Sequence, residues 1–246
     1  MAKSRVGQVS DYTDQLALLA SLSDDLALPL LQIKSSLEVL DSGRSSSKDN
    51  LTHLASMRLA SETGLQLVEA FRLAINADNA QLPLTPVSVG AILQEVAHGL
   101  TPYAKQYNTV VRVDVQPRLS PVLAHKPSLA AAMQCLGASL IRAQAASNEK
   151  KSYQIMFGAH KNPDNVITTG AFSAVVGLSD KALRSARALA GHARQPLNVL
   201  PAGAAGGILV ADILCAAMWQ PLRSAAHRNL QGLATAVPIS KQLNLV

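Results

Sequence analysis

Between Asp11 and Leu40 the apolar residues recur at spacings of three and four. Leu19, Leu26, Ile33 and Leu40 share one heptad position, Leu16, Leu30 and Leu37 the other, and Ser23 breaks the second series. Such a run admits one local structure, a long helix with a coiled-coil-like seam. Pro29 lies inside it. Its ring removes a backbone hydrogen bond and opposes the carbonyl four residues back, so a kink is expected near Asp25. After a polar loop from Asp41 to Asp49, Asp49 or Asn50 is placed to cap a second amphipathic helix with the stripe Leu51, Leu54, Met57, Leu65, Val68, Phe71 and Ile75. Two helices about one short loop make an antiparallel hairpin. Two helices alone cannot surround an apolar seam, so two copies are expected to complete a four-helix bundle.

A different pattern begins beyond this hairpin. Pro83 and Pro86 mark a linker, which divides the chain into a tail over 1–10, a hairpin over 11–76, a linker over 77–86 and a second domain over 87–246. In that domain Val87 to Leu100 reads as a helix and Thr109 to Val115 alternates as a strand. Pro127 to Ala146 is an Ala-rich helix, and Tyr153 to Phe157 and Asn165 to Val176 are strands, the latter open to interruption at Gly170. Asp180 to Ala190 and Ile208 to Met218 read as helices, and Leu233 to Ile239 as a closing strand. This order implies helices on one face of a mixed sheet.

Charge separates the same two parts. Of 22 basic and 16 acidic residues, the first 80 positions carry a net −3 and the remainder +9. The basic part invites an anionic partner, and Lys150, Lys151, Lys161, Lys181, Arg184 and Arg187 are candidates for a phosphate-binding patch. Aromatics make up only 3% of the chain, too few to stack single-stranded nucleic acid. No uninterrupted apolar stretch is long enough to span a bilayer, because the best candidate, Gly203 to Trp219, contains Asp212. The polar start lacks a secretory core, so a cytoplasmic protein is expected. Cys135 and Cys215 have no CxxC spacing and read as buried free thiols.

The order of parts resembles the cytoplasmic core of a sensor histidine kinase, a dimerisation and phosphotransfer hairpin followed by an ATP-binding domain. Ser23-Asp-Asp-Leu-Ala-Leu-Pro-Leu30 matches the phospho-acceptor box of that family, with Pro29 five residues after the acceptor position. That position holds Asp24 in place of histidine, and Ala27 and Leu28 replace the usual basic and hydroxyl neighbours. A carboxylate lacks the imidazole nitrogen that attacks phosphorus and holds a transferable phosphoryl group. In the second domain the magnesium-binding box falls on Leu129 to Arg142, and its two asparagines fall at Cys135 and Ser139. A hard cation wants oxygen ligands, so cysteine there argues against the metal site. The adenine-binding Asp-x-Gly-x-Gly element aligns with Ser173 to Gly177 and keeps only Gly177; the glycine-rich lid matches Gly203, Gly206 and Gly207 with altered spacing. Gly232 to Ile239 looks like the terminal strand that usually ends in proline.

The resemblance therefore implies an α+β protein, a dimeric hairpin bundle followed by a degenerate ATPase-type α/β sandwich. It implies no catalytic residue, no metal and no cofactor, since charge-stabilising groups of phosphoryl transfer are missing at several positions together. The function it suggests is an inactive homodimeric adaptor that binds a response-regulator receiver domain or a partner kinase through Asp24, Asp25, Leu28 and Pro29. Asp24 and Asp25 are open to two readings, solvated charges or part of that docking surface. Gly203, Gly206 and Gly207 likewise fit either phosphate at a helix N-terminus or close packing. Two alternatives remain: a phosphorelay protein using His53 beside the second helix's seam, and an anion- or nucleic-acid-binding module on the basic second domain. The other histidines, His98, His125, His160, His192 and His227, show no spacing suited to metal or triad chemistry.

Overall fold

The computed structural model describes residues 22–23, 25–42, 46–77, 82–146, 152–174, 179–190 and 205–240. Helix α1 covers 25–41, and α2 covers Ser47–Ala77. The cap of α2 lies earlier than the sequence suggests. The backbone N–H of Asp49 donates to Ser46 Oγ at 3.2 Å, and Ser46 N–H donates back to Asp49 Oδ2 at 3.2 Å, a reciprocal box that makes Ser46 the cap and Asp49 its partner. That bonding also holds the Asp49 carboxyl below its usual range.

The short connection sends α2 back along α1. A side chain on Gly64 would lie 3.7 Å from Leu26 Cδ2, so the two helices approach closely at points about equally far from the turn. The seam divides between inside and outside. Leu26, Ile33 and Leu40 are half-buried, whereas Leu30, Leu37, Leu51, Leu54, Leu65 and Val68 are exposed. The C-terminal half of α2 behaves otherwise: Leu67, Ala70, Phe71, Ala74 and Ala77 are buried in the core of the second domain. Residues at i, i+3, i+4 and i+7 share one helix face, so this single stripe docks the hairpin.

Strand β1 (Thr85–Val87) follows and includes Pro86, which the sequence places in a linker. It pairs antiparallel with β3 (Val122–Ala124) in a two-stranded ribbon, where a missing N–H is tolerated. Between them lie α3 (Val89–Gln106), capped by the Ser88 hydroxyl on the Ala91 N–H, and β2 (Thr109–Val115). The chain continues through α4 (Lys126–Ala146), β4 (Tyr153–Lys161), β5 (Val166–Ser173), α5 (Asp180–Ala190), α6 (Ala205–Met218), β6 (Arg223–His227) and β7 (Leu230–Pro238).

The five-stranded sheet has the order β2-β4-β5-β7-β6, parallel between β2 and β4 and antiparallel elsewhere. Inward residues such as Val113, Phe157, Ala171 and Leu233 meet α3, α4 and α6, and α2 crosses over α4 and α6 as an outer layer. The chain is thus α+β, a helical pair followed by helices on a mixed sheet. Strand β5 passes straight through Gly170, where any side chain would overlap the β7 backbone at Leu233 and Ala234.

Candidate functional site

The position equivalent to the phospho-acceptor, residue 24, lies outside the described residues, but its neighbours are in place. Asp25 and Pro29 are buried, one helical turn apart on the same face, while Leu28 is exposed. Asp25 Oδ1 lies 3.2 Å from Arg142 Nη2 on α4, with both side chains about nine-tenths covered. Asp25 is therefore neither a solvated charge nor part of an open docking surface. Its face turns toward α4, where burying a lone carboxylate would be strongly unfavourable and the guanidinium answers it.

Arg142 belongs to the stretch that aligns with a magnesium-binding box, and the two key positions of that stretch are buried as well. Cys135 and Ser139 lie one turn apart on α4; Ser139 faces α6, and Cys135 lines the groove that α4 forms with α2 and α3. Any side chain at Gly207 would overlap Ser139 Oγ and come within 3.0 Å of the Cys135 carbonyl oxygen. Gly206 and Gly207 are both buried within α6. Close helix packing thus accounts for Gly207. Gly203 and Gly177 lie outside the described residues.

Burial, aided by the nearby Asp25 charge, pushes the Cys135 thiol up to about 12. It stays protonated near neutrality and is a poor ligand for a hard cation. Ser173, which the sequence resemblance aligns with the adenine-binding aspartate, is buried at the end of β5 opposite Ile155 and Gln231. A magnesium-nucleotide complex does not fit this set: the donors are a thiol and two small hydroxyls, and the space beside Ser139 is filled by α6. Among the described residues no three metal-binding side chains cluster. Cys215 is a second buried free thiol, raised above its usual range by burial.

His53 is half-buried on α2, one turn from Asp49. Of the basic patch expected from sequence, Lys161, Lys181 and Arg184 are exposed, and Lys150 and Lys151 lie outside the described residues. Arg187 is engaged elsewhere. Its guanidinium grips both carboxylate oxygens of Asp212 at 2.6 and 2.7 Å and donates to the Leu222 carbonyl at 2.7 Å, so it joins α5 to α6. Asp212, the charge that interrupts the apolar stretch, is satisfied by this bond and by the Leu222 N–H at 2.8 Å. No helix among the described residues is long and apolar enough to cross a membrane.

One polar cluster has no signal in the local sequence. His227 Nε2 lies 2.7 Å from Asp114 Oδ2, and Arg228 Nη2 donates to Asp114 Oδ1 at 2.9 Å. The His227 ring stacks on Phe172 and His160 and lies where a side chain on Gly158 would otherwise stand. These bonds hold the Asp114 carboxyl below its usual range, the His227 bond contributing most. More than a hundred residues separate the partners, so spacing rules could not reveal them.

No family description matches this sequence, and no curated protein resembles it. The fold does have solved counterparts. The histidine kinase AdeS of Acinetobacter baumannii superposes with a TM-score of 0.53 at 12% identity, over 88% of this chain and 98% of the other. Full-length ShkA in complex with AMPPNP superposes with a TM-score of 0.51 at 15% identity, over 96% of this chain. The chain spans 45% of the length of ShkA. The architecture is thus that of a histidine-kinase core.

Proposed function

We propose that the protein is a catalytically inactive, histidine-kinase-like homodimeric adaptor of two-component-type signalling in the cytoplasm. It binds a response-regulator receiver domain or a partner kinase through its hairpin. The observation that carries this reading is the packing of Gly207 onto the Ser139 hydroxyl, which fills one of the two aligned magnesium-box positions with helix-helix contact, while the other holds the Cys135 thiol. Phosphoryl transfer depends on positioned charge, which a cation held at these positions would supply.

The hairpin supports the partner-binding half of the proposal. Leucines at positions 30, 51 and 65 are 61%, 68% and 71% exposed and leave apolar surface on the hairpin. Leu28, at 40% exposure, adjoins the acceptor position and supplies an apolar anchor there. A fixed carboxylate at Asp24 imitates the charge of a phosphorylated side chain without being able to pass a phosphoryl group on. The alternatives, relay through His53 or anion binding by the second domain, gain no specific geometric support. Titration calorimetry with magnesium-ATP, together with isotope transfer from a phosphorylated receiver, tests the proposal. Micromolar nucleotide affinity or a labelled protein would overturn it.

A further inference from the structure

We propose that the groove enclosed by α2, α3 and α4 is a binding site for a small, neutral, mainly apolar molecule. It encloses about 270 Å³ between Leu59 and Leu73 of α2, Gly99 and Tyr103 of α3, and Ala131 and Ala138 of α4. That volume lies near the small end of the range typical of ligand pockets, roughly 300 to 1,000 Å³. The site borders Cys135 and Arg142 of the altered box, on the side of α4 away from Gly207, and does not depend on the adaptor reading.

The ligand class follows from the charged and amide groups of the walls, which are already answered inside the chain. Glu62 accepts from Arg58 at 2.9 Å, and Glu69 from Arg72 at 2.7 Å. Arg142 faces Asp25 at 3.2 Å. The Gln134 amide donates to Gln66 across the groove, and the Thr63 hydroxyl donates to the Leu59 carbonyl at 2.8 Å. A charged ligand would be desolvated there without a free countercharge. An apolar one would release water from leucine, alanine and tyrosine surface, the interaction the walls still offer. Because the walls come from both the hairpin and the second domain, an occupant would bind the two together.

Gly99 supplies the decisive variant. A Cβ there meets nothing within 4 Å, so Gly99→Leu adds apolar bulk at the exposed rim of the groove without a collision at Cβ and replaces a helix-weakening glycine. Full-length protein is titrated with the neutral fluorophore N-phenyl-1-naphthylamine, with thermal melting followed in parallel. Saturable binding of one probe per chain is expected for the unaltered protein. Gly99→Leu, at an unchanged or higher melting temperature, should bind at least tenfold more weakly, and Ala131→Phe on the facing wall should do the same. Val110→Thr, at an exposed position of β2 away from the groove, should bind as the parent does. Binding that survives both groove variants, binding abolished by Val110→Thr, or no saturable binding by the parent would each overturn the proposal.

Discussion

Arg142 of α4 and Asp25 of α1 form an ion pair across the junction of the two halves, 3.2 Å apart, with side chains 9% and 10% exposed. Removing one partner of a buried pair leaves an uncompensated charge, which costs about 3 to 5 kcal/mol. Arg142→Met should therefore lower stability by about that amount in urea unfolding. Adding Asp25→Leu should recover much of the loss, because replacing both partners removes the orphaned carboxylate. Equal stability of parent and Arg142→Met would show that the pair does not fasten the hairpin.

Restoring one half of the magnesium box should not restore nucleotide binding. Ser139→Asn enlarges a side chain already against Gly207, and overpacking of this kind typically costs about 1 to 3 kcal/mol. Calorimetry should find no magnesium-ATP affinity in the parent or in this variant. For the same reason Gly207→Ala should destabilise the protein with no change at any exposed surface.

The Asp114 carboxyl, held low by His227 and Arg228, links folding to acidity. Its folded-state value lies below the unfolded one, so its contribution is complete above about pH 4 and fades as pH falls further. Melting temperature measured from pH 6 down to pH 2 should fall more steeply for the parent than for Asp114→Asn. Parallel curves would mean that the cluster is not coupled to folding.

The exposed leucines of the hairpin should hold two copies together. Replacing Leu30 by Asp places a charge in that apolar face and should convert a dimer to a monomer in light scattering at micromolar concentration. A well-folded monomer of the parent would remove the dimer from the proposal.

Partner binding through the hairpin should depend on Leu28. Charge at an apolar anchor typically weakens a contact by roughly 2 kcal/mol or more, whereas Asp24→Asn, a change at a rim charge, should shift it by less than about 1. Pull-down of a cognate receiver by Leu28→Asp at parental strength would move attention to the second domain.

Elements whose residues carry their own period were legible before any tertiary contact was considered. The heptad of α1, the alternation of β2 and the bounds of α5 follow from side-chain spacing of 3.6 or 2 residues, which is a property of the local chain. Strand β6, Arg-Ser-Ala-Ala-His, has no β-branched residue and exists because β7 offers it a hydrogen-bonding edge. The chemistry of single residues divides in the same way. That Cys135 offers a thiol where a hard cation wants oxygen is a matter of which atoms it carries, and the sequence alone determined it. That Asp25 turns inward to Arg142, that Gly207 fills the space beside Ser139 and that His227 meets Asp114 depended on the tertiary structure. Each of these contacts is set by how whole helices and strands register against one another, and no spacing along the chain encodes that distance.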